Sequence, residues 1–174
     1  MKRFGCVLAF IFFASGQVSL ADEFQTVKCG EDIPKAMIGQ RSSNDRIVVT
    51  EKKYKVLGLK HLGADEISDG LSAVNWRICG AEYITLVGHG ALVGDVLPVP
   101  PHSRQSPAFE GICQVKGKDL PDILFAILDG KRTGDQLPVV RAWKIDQQRA
   151  KFVRTPTEGV LCPRSGIYTV DGGM

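Results

Sequence analysis

Four cysteines spread over residues 22–174, at Cys29, Cys79, Cys113 and Cys162, constrain this chain more than any other feature. The fifth, Cys6, lies in an N-terminal stretch of different character. There Met1-Lys2-Arg3 precedes an almost wholly apolar run from Phe4 to Phe13, followed by Ser19-Leu20-Ala21. Two cations, an apolar run of about ten residues and small residues at positions −3 and −1 read as a secretory signal peptide, residues 1–21, cleaved before Asp22. The run is too short to span a bilayer, which needs about 20 apolar residues. Cys6 leaves with it, and the cysteine count becomes even.

An even number of cysteines in a secreted chain implies a disulfide framework, here with three possible pairings. The favoured pairing is Cys29 with Cys79 and Cys113 with Cys162, which ties each end of the chain to the β-rich stretch nearest to it. The four residues lie tens of positions apart and form no C-x₂₋₄-C pair, so a zinc site is not expected. Nor is a lipid anchor, because no cysteine sits at the cleavage point. A periplasmic or extracellular location follows, with no stable membrane anchor after cleavage.

Loss of Lys2 and Arg3 leaves 20 basic against 19 acidic side chains, a net charge of +1. That balance lacks the clustered basic excess that nucleic-acid binding requires, so no nucleic-acid partner is expected. Residues 22–174 have the size of one ordinary domain.

Along the chain, Glu31 to Ile38 carries a short amphipathic helix signal, with Asp32 at its start and Pro34 in its first turn. Strand signals then dominate. Ile47-Val48-Val49-Thr50 is wholly β-branched, and Lys53 to Leu57 continues the run. Leu62 to Gly70 reads as a polar loop or a single helical turn. Leu71 to Cys79 alternates, with Val74, Trp76 and Ile78 as the expected core face, and returns through a Gly80-Ala81 turn into Tyr83 to Val87. Further strands are expected at Ala91 to Val99, Phe109 to Val115, Ile123 to Leu128, Val139 to Ile145 and Lys151 to Arg154. A weak internal echo joins Trp76-Arg77-Ile78 to Trp143-Lys144-Ile145. The fold expected is mainly β, antiparallel meanders forming a barrel or a two-layer sandwich, with one short N-terminal helix.

Chemical motifs are sparse. His61, His89 and His102 show no metal-binding spacing and read as surface residues, and neither a metal nor another cofactor is expected. Asp65, Glu66 and Asp69 lack the spacing of a calcium loop. No G-x-S-x-G elbow or phosphate loop occurs, and Gly88-His89-Gly90 reads as a hairpin turn. The segment from Leu97 to Pro107 stands apart, with Pro98, Pro100, Pro101 and Pro107 in a single connection. It has two readings. Either it is a proline-stiffened crossover between sheets, or it is a pre-organised recognition loop presenting Pro100, Pro101, His102, Ser103 and Arg104. The functional expectation is a non-enzymatic binding or inhibitor-like module whose partner is another envelope or extracellular protein. The rivals are an envelope hydrolase with a site assembled from distant residues, such as His102 or His89 with carboxylates, and a structural envelope protein.

Overall fold

The computed structural model describes residues 22–168. The expected signal peptide with Cys6, and the frayed end expected at 171–174, lie outside the described residues.

The expected N-terminal helix is α1, Ile33–Met37. The Asp32 carboxylate caps it by accepting from the Lys35 amide at 3.0 Å, and Ile33 and Met37 are buried beneath it. A second helix, α2, spans Ile47–Lys53, where a strand was expected. Thr50 on α2, Tyr54 at its end and Leu57 in the 3₁₀ turn Lys55–Leu57 that follows face the body, with Thr50 and Leu57 buried and Tyr54 packed on the core. Packing of these three residues overrides the β preference of Ile47, Val48 and Val49, whose side chains are exposed.

Two antiparallel sheets follow. The first has the order β1 (Lys60–Ser68), β2 (Leu71–Ile78), β3 (Ala81–Gly88), β4 (Leu92–Pro98). β1 occupies the segment expected to be a polar loop or a single helical turn. It is an edge strand with two register shifts, and its Asp65 and Glu66 are exposed, so edge-protecting charges gave it a loop-like composition. The turn after β2 is Cys79-Gly80 and not Gly80-Ala81. Both residues have positive φ, 53° and 82°, as a two-residue hairpin with matching twist requires. That register places Arg77 opposite Glu82.

The second sheet comprises β5 (Ala108–Gly111), β6 (Gln114–Val115), β7 (Lys118–Asp119), β8 (Leu124–Leu128), β9 (Gln136–Asp146), β10 (Lys151–Thr155), β11 (Val160–Pro163) and β12 (Ile167–Tyr168). Its path runs β12-β5-β8-β9-β11-β6-β7, with β10 also on β9. No pairing joins the two sheets, so the arrangement is a sandwich and not a closed barrel.

Three apolar layers hold it together. Between the sheets lie Leu71, Ala73, Ile84, Leu86 and Leu97 against Ala108, Phe125, Ile127 and Ile145. On the far side of the first sheet, Trp76, Ile78, Val93 and Val96 pack under the N-terminal segment through Phe24, Val27, Ile33 and Met37. β2 is therefore buried on both faces, and not only on the Val74-Trp76-Ile78 face. On the far side of the second sheet, Leu124, Ala126 and Leu128 pack with Leu137, Val139 and Val160. Every side chain of β8 is buried, as its uninterrupted apolar run implies. Trp76 faces the N-terminal segment while Trp143 faces the first sheet, so the two halves of the internal echo do different packing jobs.

Cys29 is bonded to Cys79 and Cys113 to Cys162, the pairing favoured from sequence. The first ties the N-terminal segment to the tip of the β2–β3 hairpin. The second lies in the outer layer of the second sheet. Two disulfides fit an oxidising compartment. Among the described residues no helix is long and apolar enough to cross a membrane.

Candidate functional site

The first sheet passes into the second through the proline segment, and several polar residues of the interior gather at this junction. Arg77 and Glu82, opposite each other on β2 and β3, are joined by an ion pair at 2.6 Å. The Val99 amide donates to the Glu82 carbonyl at 2.9 Å, extending the ladder one residue beyond β4. Pro100 and Pro101 then lack the donors to continue it, and the chain leaves the sheet.

His102 turns back inward. Its side chain is 2% exposed, so it is not the surface residue expected. Nδ1 lies 3.2 Å from the Pro100 carbonyl oxygen and Nε2 lies 3.4 Å from Glu82 Oε2. The second contact has the distance of an ion pair but not the geometry of a good hydrogen bond. Both ring nitrogens thus face oxygen atoms, the Pro100 carbonyl on one side and the Glu82 carboxylate on the other. The ring stands edge-on to Tyr168, with centroids 5.6 Å apart.

Above this trio opens a recess of about 250 Å³, lined by Arg77, Gly80, Ala81, Glu82, Val99, Pro100, Pro101 and His102. Tyr168 packs on His102, and Glu110, Asn75 and Asp65 lie close enough to act on one another and on Tyr168. Burial, reinforced by the Asp65 charge and eased by Asn75, pushes the Glu110 carboxyl up to about 7. Burial raises the Tyr168 phenol as well, with Glu110, Glu82 and Asp65 adding to the effect. Asn75 Oδ1, Glu110 Oε1 and the Tyr168 hydroxyl are buried without a hydrogen-bond partner among the described residues. Such groups are uncommon in native interiors and cost stability.

Of the five residues singled out from sequence, three line the recess: Pro100, Pro101 and His102. Ser103 and Arg104 do not. Ser103 and Ser106 exchange backbone hydrogen bonds at 3.1 and 3.0 Å, closing a tight turn with Arg104 and Gln105 at its exposed tip. The rest of the segment packs across the body. Gln105 and Pro107 carbonyls accept from the Gly130 and Leu128 amides at 3.0 and 2.9 Å. The segment is thus a sheet-to-sheet crossover with an exposed tip, and it does not project as a whole.

Arg77, Glu82, Asn75, Glu110 and Tyr168 were missed from sequence. For Arg77 and Glu82 a signal existed, because a turn at Cys79-Gly80 pairs them directly. Shifting that turn by one residue breaks the pairing and reverses the face each side chain occupies. Among the described residues no cluster of three or more His, Cys, Asp or Glu side chains could hold a metal ion. Comparison with family models, with curated proteins and with solved structures finds no significant match.

Proposed function

We propose that this protein is a secreted or periplasmic binding module, and that the recess under the crossover, with the Arg104 tip beside it, is its contact surface for another envelope or extracellular protein. The observation that carries this reading is the Arg77–Glu82–His102 trio. It builds a rigid, charged floor under a recess whose wall is two consecutive prolines. A wall stiffened in this way loses little freedom on binding. The partner places one side chain in the recess, and Ser103 and Arg104 contact it at the rim.

The test is affinity capture from an envelope or secreted fraction, followed by titration of any captured protein. Wild type is compared with Arg104→Glu and with Ala81→Trp, whose exposed position lets an indole fill the recess. Loss of the same partner in both variants supports the reading. Identical partners and affinities in all three proteins reject it.

A second reading has one observation in its favour, the contact between His102 and Glu82 inside a recess. A histidine beside a carboxylate can serve as a general base, here toward a water molecule, because the lining contains no Ser, Thr, Cys or Lys side chain. Turnover in a hydrolase substrate screen that disappears in His102→Gln would favour this reading over the binding module.

A further inference from the structure

A second recess lies away from the crossover, over the paired strands β9 and β10 and the turn that follows them. It measures about 400 Å³ and is lined by Val140, Arg141, Ala142, Arg154, Thr155, Pro156 and Thr157. That volume is within the ordinary range of small-ligand sites, about 300–1,000 Å³. We propose that it binds the tetrahedral, doubly charged oxyanion of a small ligand, a phosphate or a sulfate group, between Arg141 and Arg154.

The strand register brings the two arginines together. Arg154 is directly opposite Trp143, and Arg141 is two residues before Trp143 on the same strand. Alternation then puts both residues on the face that Trp143 occupies, the one turned toward the first sheet, as diagonal neighbours about 7–8 Å apart at the backbone, and both are exposed there. A bulge exposes Arg141 further. The β8–β9 register shifts between Ile127 and Leu128, leaving Val140 unpaired, so that Val140 and Arg141 are both exposed between buried Val139 and Ala142. Beyond β10, Pro156 stiffens the turn that carries Thr157, and the Val160 amide closes that turn on the Thr157 carbonyl at 3.1 Å.

The electrostatics point to an anion. On and beside β9 and β10, three other cations have carboxylate partners: Lys144 has Asp122, Arg149 has Asp146 and Lys151 has Asp95. Among the described residues, neither the Arg141 nor the Arg154 guanidinium makes an ion pair or a hydrogen bond. Two like charges held on one face with no counter-charge repel each other, and a divalent anion between them reverses the sign of that interaction. Glu158, the nearest carboxylate along the chain, does not line the recess. Two guanidinium forks with the hydroxyls of Thr155 and Thr157 supply donors on several sides, which suits a tetrahedral oxyanion better than a planar carboxylate. The recess is larger than a bare phosphate, leaving room for an organic body attached to it.

The experiment is calorimetric or NMR titration of the disulfide-intact protein, at pH 7.5 and about 150 mM chloride, with inorganic phosphate, sulfate, phenyl phosphate and acetate. The expected result is saturable 1:1 binding of the divalent anions, at least tenfold tighter than acetate. Arg141→Gln and Arg154→Gln should each weaken it about tenfold, while Arg46→Gln leaves it unchanged. All of these side chains are exposed, so the fold tolerates the changes, and circular dichroism checks this. Phenyl phosphate binding more tightly than the inorganic ion assigns the ligand as an ester, and equal binding assigns it as the free anion. No saturable binding, acetate binding as tightly as phosphate, or full binding by the Arg141→Gln, Arg154→Gln double variant overturns the proposal.

Discussion

Glu110 should make this protein less stable at pH 8 than at pH 5. Burial pushes its carboxyl from the usual 4.5 up to about 7 in the folded state. As pH rises from about 4.5 to about 7, the unfolded chain releases this proton while the folded chain retains it. Stability attached to the group is therefore full below the unfolded value and is lost as pH climbs through the folded one. At about 1.4 kcal/mol per pH unit, the loss approaches roughly 3 kcal/mol. For a chain of this size that is about 6–12 °C in Tm. Glu23, buried among Asp22, Ser42 and Ser43, is also pushed up to about 7 by desolvation and loses stability over the same window. The two groups sit on opposite sides of the first sheet, so their effects should add. Glu110→Gln removes the ionisation and keeps the shape. It should match wild type near pH 5 and exceed it by roughly 3 kcal/mol at pH 8. Urea unfolding at both pH values, disulfides intact, measures this for wild type, Glu110→Gln and Glu23→Gln. If the wild-type and Glu110→Gln stabilities run parallel between pH 5 and pH 8, the reasoning about the inter-sheet carboxyl is wrong.

Arg77→Ala leaves the mostly buried Glu82 carboxylate with His102 alone and should cost about 1–3 kcal/mol, read as a lower urea midpoint. Gly130→Ala drives a methyl into the Arg104 carbonyl and within 2.8 Å of Pro107 Cδ, which should loosen the crossover. Faster amide exchange at Leu128 and Gly130, whose partners are Pro107 and Gln105, would report that loosening; unchanged exchange would count against the packing described. Replacing Cys29 and Cys79 by serine opens a loop of 50 residues and should cost about 4 kcal/mol on the chain-entropy account, measured by the same unfolding assay. Leu128→Ala, at a site with no exposure in the central strand, should cost about 2–5 kcal/mol.

The strands legible from sequence are those whose pattern reflects burial. β8 is an unbroken apolar run, and β2 and β3 form a hairpin around a glycine turn. The misread elements lie where local preference and tertiary role diverge. Ile47-Val48-Val49 is β-branched but exposed on a helix held by Thr50, Tyr54 and Leu57, and no composition rule weighs three packed residues against three propensities. β1 is polar because it is an edge, so its charges hide a strand. β11 and β12 are too short for any periodicity to register. For the site, His102 stood out only as part of a proline segment. Glu110 and Tyr168 reach it from strands β5 and β12, and no spacing along the chain links residues so far apart.

The interior polar groups are not spread evenly through the sandwich. Asn75, Glu110, Tyr168 and His102 account for four of the six buried polar atoms without partners among the described residues, and all four residues meet at the crossover end. Elsewhere the space between the sheets is filled by Leu71, Ile84, Leu86, Phe125 and Ile127. An apolar residue at position 110 would pair with Phe125 across β5 and β8 at no desolvation cost, whereas the ionised carboxylate opposes folding at neutral pH. Stability alone therefore does not account for this end of the molecule. The same groups adjoin the recess through the His102–Tyr168 contact, so a ligand that reorganises His102 changes the surroundings of Glu110. Proton uptake or release on partner binding, between pH 6 and pH 8, is the observable consequence of that adjacency, and Glu110→Gln should abolish it.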